Sequence, residues 1–183
     1  MYEYMKGIVI KRTDDYIILD VQNIAYRIYI TKKYFKENDM ALYYLFYFVN
    51  DNQRLLYGFV NTLERDVFLK LISIKSIGIK TAISILKNDD YEIILNAAFN
   101  GNYDFLLTLN KINENNVDIL IKNLKTISYK DNFSIDKNYY NSLKSLEYSE
   151  RDIYKSYKIV NKNQPINLMI KEGIKIIESG DLK

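Results

Sequence analysis

Residues 55–86 read LLYGFVNTLERDVFLKLISIKSIGIKTAISIL, and within them the apolar pattern changes its period. Leu55–Phe59 is a short run of branched and aromatic residues, as expected of a strand. From Asn61 the apolar residues Leu63, Val67, Phe68, Leu71 and Ile72 recur at helical spacing. Asn61, with Glu64 three residues on, predicts a capping box at the start of that helix. A break over Lys75–Gly78 leads into a second helical stretch, Ile79–Leu86. The chain therefore passes from β to α at residue 61.

Upstream of that boundary, strand-like runs occur at Lys6–Arg12, Tyr16–Val21, Ile24–Ile30 and Ala41–Val49, with Leu55–Phe59 as the fifth. Polar breaks separate them: Thr13–Asp15, Gln22-Asn23, the charged stretch Lys32–Asp39, and Asn50–Arg54. Five short strands, with a third connection long enough for a helix, suit an OB-type barrel. An SH3-like barrel would give almost the same pattern.

Downstream, Asp89 with Glu92 predicts another helix start and Gly101 a helix stop. Helical pattern returns over Tyr103–Leu109, breaks at Asn110–Asn113 and resumes to Leu124. Thr126–Lys137 is polar, without an apolar face, and reads as a linker. The remainder shows three short helical stretches around Leu143, Leu146, Ile153, Tyr157, Val160, Ile170, Ile174 and Ile177. The fold class expected is multi-domain α+β: a barrel over residues 1–61, a pair of helical hairpins over 62–126, a flexible linker over 127–137 and a small three-helix domain over 138–183.

The stretch Leu71–Leu86 has the form of a helix-hairpin-helix. Where a helix begins, its first amides lack intrahelical partners and point outward at the positive end of the dipole. A phosphate can sit there if no bulky side chain blocks the approach. Gly78 leaves that approach open and Lys80 adds a charge; Ser76, Ile77 and Thr81 complete the candidate DNA contact. Such contacts do not read base sequence. Taken alone, the motif is equally well an ordinary helical corner with Gly78 as its turn residue. Leu106–Lys125 repeats its apolar skeleton, Leu109, Ile112, Val117 and Leu120 falling where Ile74, Ile77, Ala82 and Ile85 fell. Lys111 and Asn113 stand in the glycine positions of this second copy, and Glu114 brings negative charge to its helix start.

Composition narrows the function. With no cysteine, disulfide and thiol chemistry are excluded. With no histidine, the commonest proton carrier at neutral pH and the commonest metal ligand are missing. No paired-carboxylate spacing suggests a metal site, and no Walker A sequence occurs. The expectation is a protein without catalytic activity, metal or cofactor. The longest apolar run, Met40–Val49, is strand-length, and the N-terminus lacks signal-peptide character, so a cytoplasmic protein with no membrane span is expected. Net charge is only +3, and each of the three segments divided near residues 61 and 130 carries one more basic than acidic residue. If nucleic acid is the ligand, the fold must sort the charge by face.

A specific resemblance emerges from these residues together. LLYGF, a short spacer, an E-R-x-x-F helix (Glu64, Arg65, Phe68) and a helix-hairpin-helix resemble the RuvA family of Holliday-junction proteins, and the openings KGIVI, YIILDV and IAYRIYI match that family's first strands in order. The resemblance implies an OB barrel, tandem helix-hairpin-helix motifs and a mobile third, UBA-like domain. It implies a homotetramer, or an octamer of two tetramers, that binds four-way DNA junctions. It further implies recruitment and stimulation of a hexameric RuvB-type ATPase for branch migration in recombination, DNA repair and the SOS response to DNA damage, with a junction-resolving nuclease as a further partner.

Carried over by position, the first hairpin keeps its second glycine as Gly78 and its lysine as Lys80, with Ser76 in place of the first glycine. The second has Lys111 and Asn113 for its two glycines. The acidic pair expected at the junction centre becomes Asp51 and Asn52. Leu143, Leu146 and Tyr148 occupy the motor-facing positions of the third domain, where they could equally be its core. Two other classes compete: a nucleic-acid-binding OB-fold protein without junction specificity, and a nuclease or nuclease accessory built on hairpins. The first would not explain the LLYGF-to-helix joint, and the second would need a catalytic cluster that the sequence does not supply.

Overall fold

In a computed structural model the chain is described over residues 2–32, 34–127 and 135–180. Five strands form a closed barrel: β1 (Tyr4–Arg12), β2 (Tyr16–Val21), β3 (Ile24–Ile30), β4 (Met40–Val49) and β5 (Arg54–Phe59), in the order β1-β2-β3-β5-β4. All neighbours pair antiparallel except β3 and β5, whose parallel pairing joins Ile28–Ile30 to Leu56–Gly58. Closure removes exposed strand edges. It also settles the choice between barrel types in favour of the five-stranded OB-like form.

Alternation decides which residues face inward. Met5, Val9, Ile17, Leu19, Ile28, Ile30, Ala41, Tyr43 and Leu45 fill the interior, spaced by two along each strand, with buried Gly7 at the intervening inward position of β1. The β2–β3 break is a tight hairpin with Gln22 and Asn23 at φ 54° and 65°, closed by Asn23 N–H on Asp20 Oδ1 at 2.9 Å. Gly7 is required by closeness of backbone: a Cβ there would stand 2.1 Å from the Asp20 carbonyl oxygen. The β3–β4 connection, where a helix would have fitted, has none among its described residues. It runs as bends and turns pinned by Lys36 N–H on Asp39 Oδ2 and by Arg12 Nη1 on the Phe35 carbonyl.

Five helices follow in the same compact unit: α1 (Thr62–Ile72), α2 (Ile79–Asn88), α3 (Tyr91–Asn100), α4 (Tyr103–Leu107) and α5 (Glu114–Leu124). The LLYGF and E-R-x-x-F residues form the joint between barrel and helices. Phe68 of α1 is fully buried, with its ring 4.9 Å from Phe59, 5.2 Å from Phe46 and 6.3 Å from Tyr57. Arg65 pairs with Glu3 at 2.6 Å across the same joint. Gly58 fits because a Cβ there would lie 2.5 Å from the Ile28 methyl.

Only half of the capping box expected at α1 forms. Asn61 Oδ1 accepts from Glu64 N–H at 2.8 Å, but the Glu64 carboxylate accepts from Val60 N–H at 3.0 Å and from the Thr31 hydroxyl instead of from Asn61 N–H. The side chain is drawn one residue further back because Thr31, at the end of β3, offers a buried donor. Glu64 is thereby buried, and burial raises its carboxyl pKa above the ordinary range despite both hydrogen bonds. The Tyr43 hydroxyl is buried nearby without a hydrogen-bond partner among the described residues. Burial, and secondarily the Glu64 charge, pushes its pKa up to about 12. The start of α3 also differs from expectation: its N-cap is Asp90, while Asp89 ends α2. Gly101 ends α3 at φ 68°, as its position predicts.

The second compact unit holds α6 (Lys137–Ser145), α7 (Glu150–Ile159) and α8 (Ile166–Ser179) around Tyr139, Leu143, Ile153, Tyr157, Val160 and Met169. α8 begins directly after Pro165, its N-cap residue, whose fixed φ suits a helix start. Tyr139 is fully buried and its hydroxyl lies 2.8 Å from Ser156 Oγ, while Gly173 of α8 passes so close that a Cβ would strike the Tyr139 ring. Most of the predicted linker, residues 128–134, lies outside the described residues. Of its ends, Ile127 is buried and Lys137 already belongs to α6. No helix among the described residues is long and apolar enough to cross a membrane.

Candidate nucleic-acid interface

The first hairpin turn joins α1 to α2. Ile77 is buried at 3% exposure, so its side chain anchors the turn. Gly78 is the N-cap of α2 at φ −85° and ψ 172°, and no side chain caps that helix. The amides of Ile79, Lys80 and Thr81 have no acceptor among the described residues. A Cβ at Gly78 would meet nothing within 4 Å. This glycine is therefore dispensable for packing or for an unusual φ, and what it leaves open is space in front of three unpaired N–H groups.

The second turn, which joins α4 to α5, differs in kind. Asn113 caps α5 by accepting from Asn115 N–H at 3.0 Å, and the Asn116 side chain returns the bond by accepting from Asn113 N–H at 2.8 Å. Its helix start therefore leaves one amide, that of Glu114, without an acceptor among the described residues, against three at the start of α2. Lys111 holds φ 62°, the left-handed region that a glycine would occupy without strain. Ser76, standing for a glycine in the first turn, has no such constraint.

The two turns meet. Asn116 Nδ2 donates to Ser76 Oγ and to the Lys111 carbonyl, both at 3.0 Å. A second tie, Asn123 Nδ2 to Ser73 Oγ at 3.0 Å, joins α5 to the end of α1. Three exposed lysines, Lys75, Lys80 and Lys111, consequently stand on the paired turns, with exposed Glu114 as the counter-charge. The contact between the turns thus gathers cations that lie far apart in the linear sequence. Sequence reasoning missed Asn116, Asn123 and Ser73. The only local hint was Asn116 three residues after Asn113, which is capping-box spacing.

The remaining candidate residues fall elsewhere. Asp51 and Asn52 are exposed on the β4–β5 turn, which Asn50 organises by accepting from Asn52 and Gln53 N–H at 3.1 and 2.7 Å. In the second unit Leu143 is fully buried at 0% exposure and belongs to that unit's core, which favours the core reading over the partner-facing one for this residue. Leu146 is 54% exposed, and Tyr148 packs against the core with its hydroxyl on Glu178 at 2.9 Å. No group of His, Cys, Asp and Glu able to hold a metal ion occurs among the described residues.

A closed OB-like barrel fused to paired helical hairpins, one of them with an open helix start, defines a class of α+β proteins. Comparison with known proteins narrows the class. The model of the RuvA N-terminal domain matches residues 1–58. The Holliday junction branch migration complex subunit RuvA of Mycoplasma capricolum is 33% identical over 172 residues, covering 92% of this chain and 91% of that protein. The protein of the same name from Pediococcus pentosaceus is 28% identical over an alignment covering 98% of this chain and all of that protein. The one from Lactobacillus gasseri is 34% identical over 126 residues, 68% of this chain and 66% of its own length. The chain belongs to the RuvA family.

Proposed function

We propose that this chain binds four-way DNA junctions as the non-catalytic subunit of a branch-migration complex. The observation that carries the reading is the open start of α2: three unpaired amides behind Gly78, with Lys75, Lys80 and Lys111 alongside. Phosphate oxygens would accept from those amides at the positive end of the helix, while Ser76, Ile77, Thr81 and Asn113 shape the turns around them. The names of the full-length relatives support junction DNA as the ligand.

In this proposal the barrel (1–61) and the hairpins (62–126) form the DNA-binding body, and the segment 127–137 tethers the three-helix domain (138–183). Four copies assemble around the junction, so that Asp51 of each contributes one of four negative charges at the crossover. Those charges repel phosphate at the centre and favour the open arrangement over continuous duplex. Leu146 and Tyr148 meet a RuvB-type ATPase, which supplies the energy of ATP hydrolysis. A mobility-shift comparison of a four-way junction, a linear duplex and an RNA duplex of equal length tests the proposal. A complex with the junction at concentrations that leave the other two free is expected; equal shifts for all three would refute it.

A further inference from the structure

Asn116 makes more hydrogen bonds across elements than any capping role needs. Its side chain is 7% exposed, and both amide protons and the carbonyl oxygen are used. One bond closes its own helix start, one holds the strained Lys111 turn through that residue's carbonyl, and one crosses 40 residues of sequence to Ser76 in the first turn. An isolated N-terminal cap uses only the acceptor. The two donor bonds instead tie together two turn positions, Ser76 and Lys111, that flank or carry the exposed lysines.

We infer that Asn116 is a positioning residue, and that the second hairpin has become a brace for the first rather than a second phosphate grip. Its own helix start offers only the Glu114 amide, beside that residue's own carboxylate, because Asn113, Asn115 and Asn116 N–H are already bonded. What it supplies is a rigid partner for the Ser76–Gly78 turn, with Lys111 held beside that turn by a backbone bond. The first turn is otherwise fixed by Ile74 and Ile77 in the core, by the Asn123 tie to Ser73 at its start, and by short-range bonds such as Ile77 N–H on the Ile74 carbonyl at 2.8 Å. Holding a binding group in its working geometry lowers the ordering cost paid on association. The inference rests on the proposal that the first hairpin meets phosphate.

The test uses full-length protein and a synthetic four-way junction. Ser76→Ala removes one end of the cross-turn bond at an exposed position with ordinary backbone, and Asn116→Ala removes the other. Ser76→Ala should lower junction affinity about three- to tenfold, the scale of one hydrogen bond, with an unchanged melting temperature. Asn116→Ala should lower affinity further, and the double variant should bind no worse than Asn116→Ala alone, since both act through one bond. The salt dependence of binding should become shallower in Ser76→Ala, as fewer phosphates are engaged at once. Wild-type affinity and salt slope in Ser76→Ala, or losses that simply multiply in the double variant, would overturn the inference. Because Ser76→Ala carries the decision, a folding defect in Asn116→Ala does not blunt the test. Absence of junction preference in the wild-type chain would instead sink the underlying functional proposal.

Discussion

Gly78→Asp should make the protein more stable and a worse DNA binder at the same time. At φ −85° and ψ 172°, with nothing within 4 Å of the new Cβ, the aspartate enters without strain or clash. As an N-cap it outranks glycine by a few tenths of a kcal/mol. Its charge at the positive end of α2 adds about 0.3–1 kcal/mol, and loss of glycine's freedom in the unfolded chain adds about 0.4–1 kcal/mol. These effects overlap, so a net gain of about 1 kcal/mol is expected, raising the first unit's transition by roughly 2–4 °C. The same carboxylate occupies the amides that phosphate would use and repels it. Losing a charged hydrogen bond of about 1.5–3 kcal/mol weakens junction binding roughly ten- to hundredfold. Circular dichroism melts and fluorescence-anisotropy titrations read the two quantities separately. Asn113→Asp is the matched control: it puts the same charge on a helix start already capped internally, and binding should change by about threefold or less. If Gly78→Asp left junction affinity intact, or if binding and stability fell together, the assignment of the α2 start as the phosphate site would be wrong.

Other consequences follow from the same geometry. Lys111→Gly should relieve left-handed strain worth about 1 kcal/mol, partly offset by glycine's greater freedom in the unfolded chain, and so raise the melting temperature by roughly a degree or two, while removing a cation and so flattening the salt dependence of binding. The raised pKa of buried Glu64 sets a sign: the proton is held more tightly in the folded chain, so stability is greatest below the ordinary carboxylate range and falls as pH rises through the folded pKa. Glu64→Gln, which can still accept from Val60 and donate to Thr31, should flatten that decline in denaturant titrations across acidic to neutral pH. A chain ending near Lys130 should keep junction binding and lose stimulation of a RuvB-type ATPase; Leu146→Ala should reproduce part of that loss without lowering the melting temperature, because Leu146 lies outside the core.

The barrel was legible because inward positions such as Val9, Leu19 and Ile28 announce themselves by alternation, and the hairpins because Val67, Leu71, Ala82 and Ile85 announce themselves by helical spacing. The LLYGF and E-R-x-x-F residues carried more, since Gly58 and Phe68 meet constraints specific to this joint. What local pattern could not give was any contact between distant turns. Ser76 and Asn116 are short polar residues on a loop and a helix start, where such residues commonly make only local bonds. Their pairing exists only once α1 and α5 are side by side. Glu64 was read as a cap because Thr31 is 33 residues away, and a barrel end cannot be seen to approach a helix start from spacing. Leu143 shows the converse limit: on a short amphipathic helix, core and partner faces are written in the same apolar residues. The even spread of charge along the chain likewise hid the lysines that folding gathers at the turns.

The central claim is that open amides at one hairpin, repeated around a junction, give structure-specific phosphate binding. Competition of a labelled four-way junction against unlabelled linear duplex of equal length, repeated from low to moderate salt, measures it most directly. The account predicts that junction affinity falls steeply with salt, as counterion release requires, while the preference over duplex persists at every salt concentration. A preference that vanishes as salt rises, leaving junction and duplex equal, would contradict it.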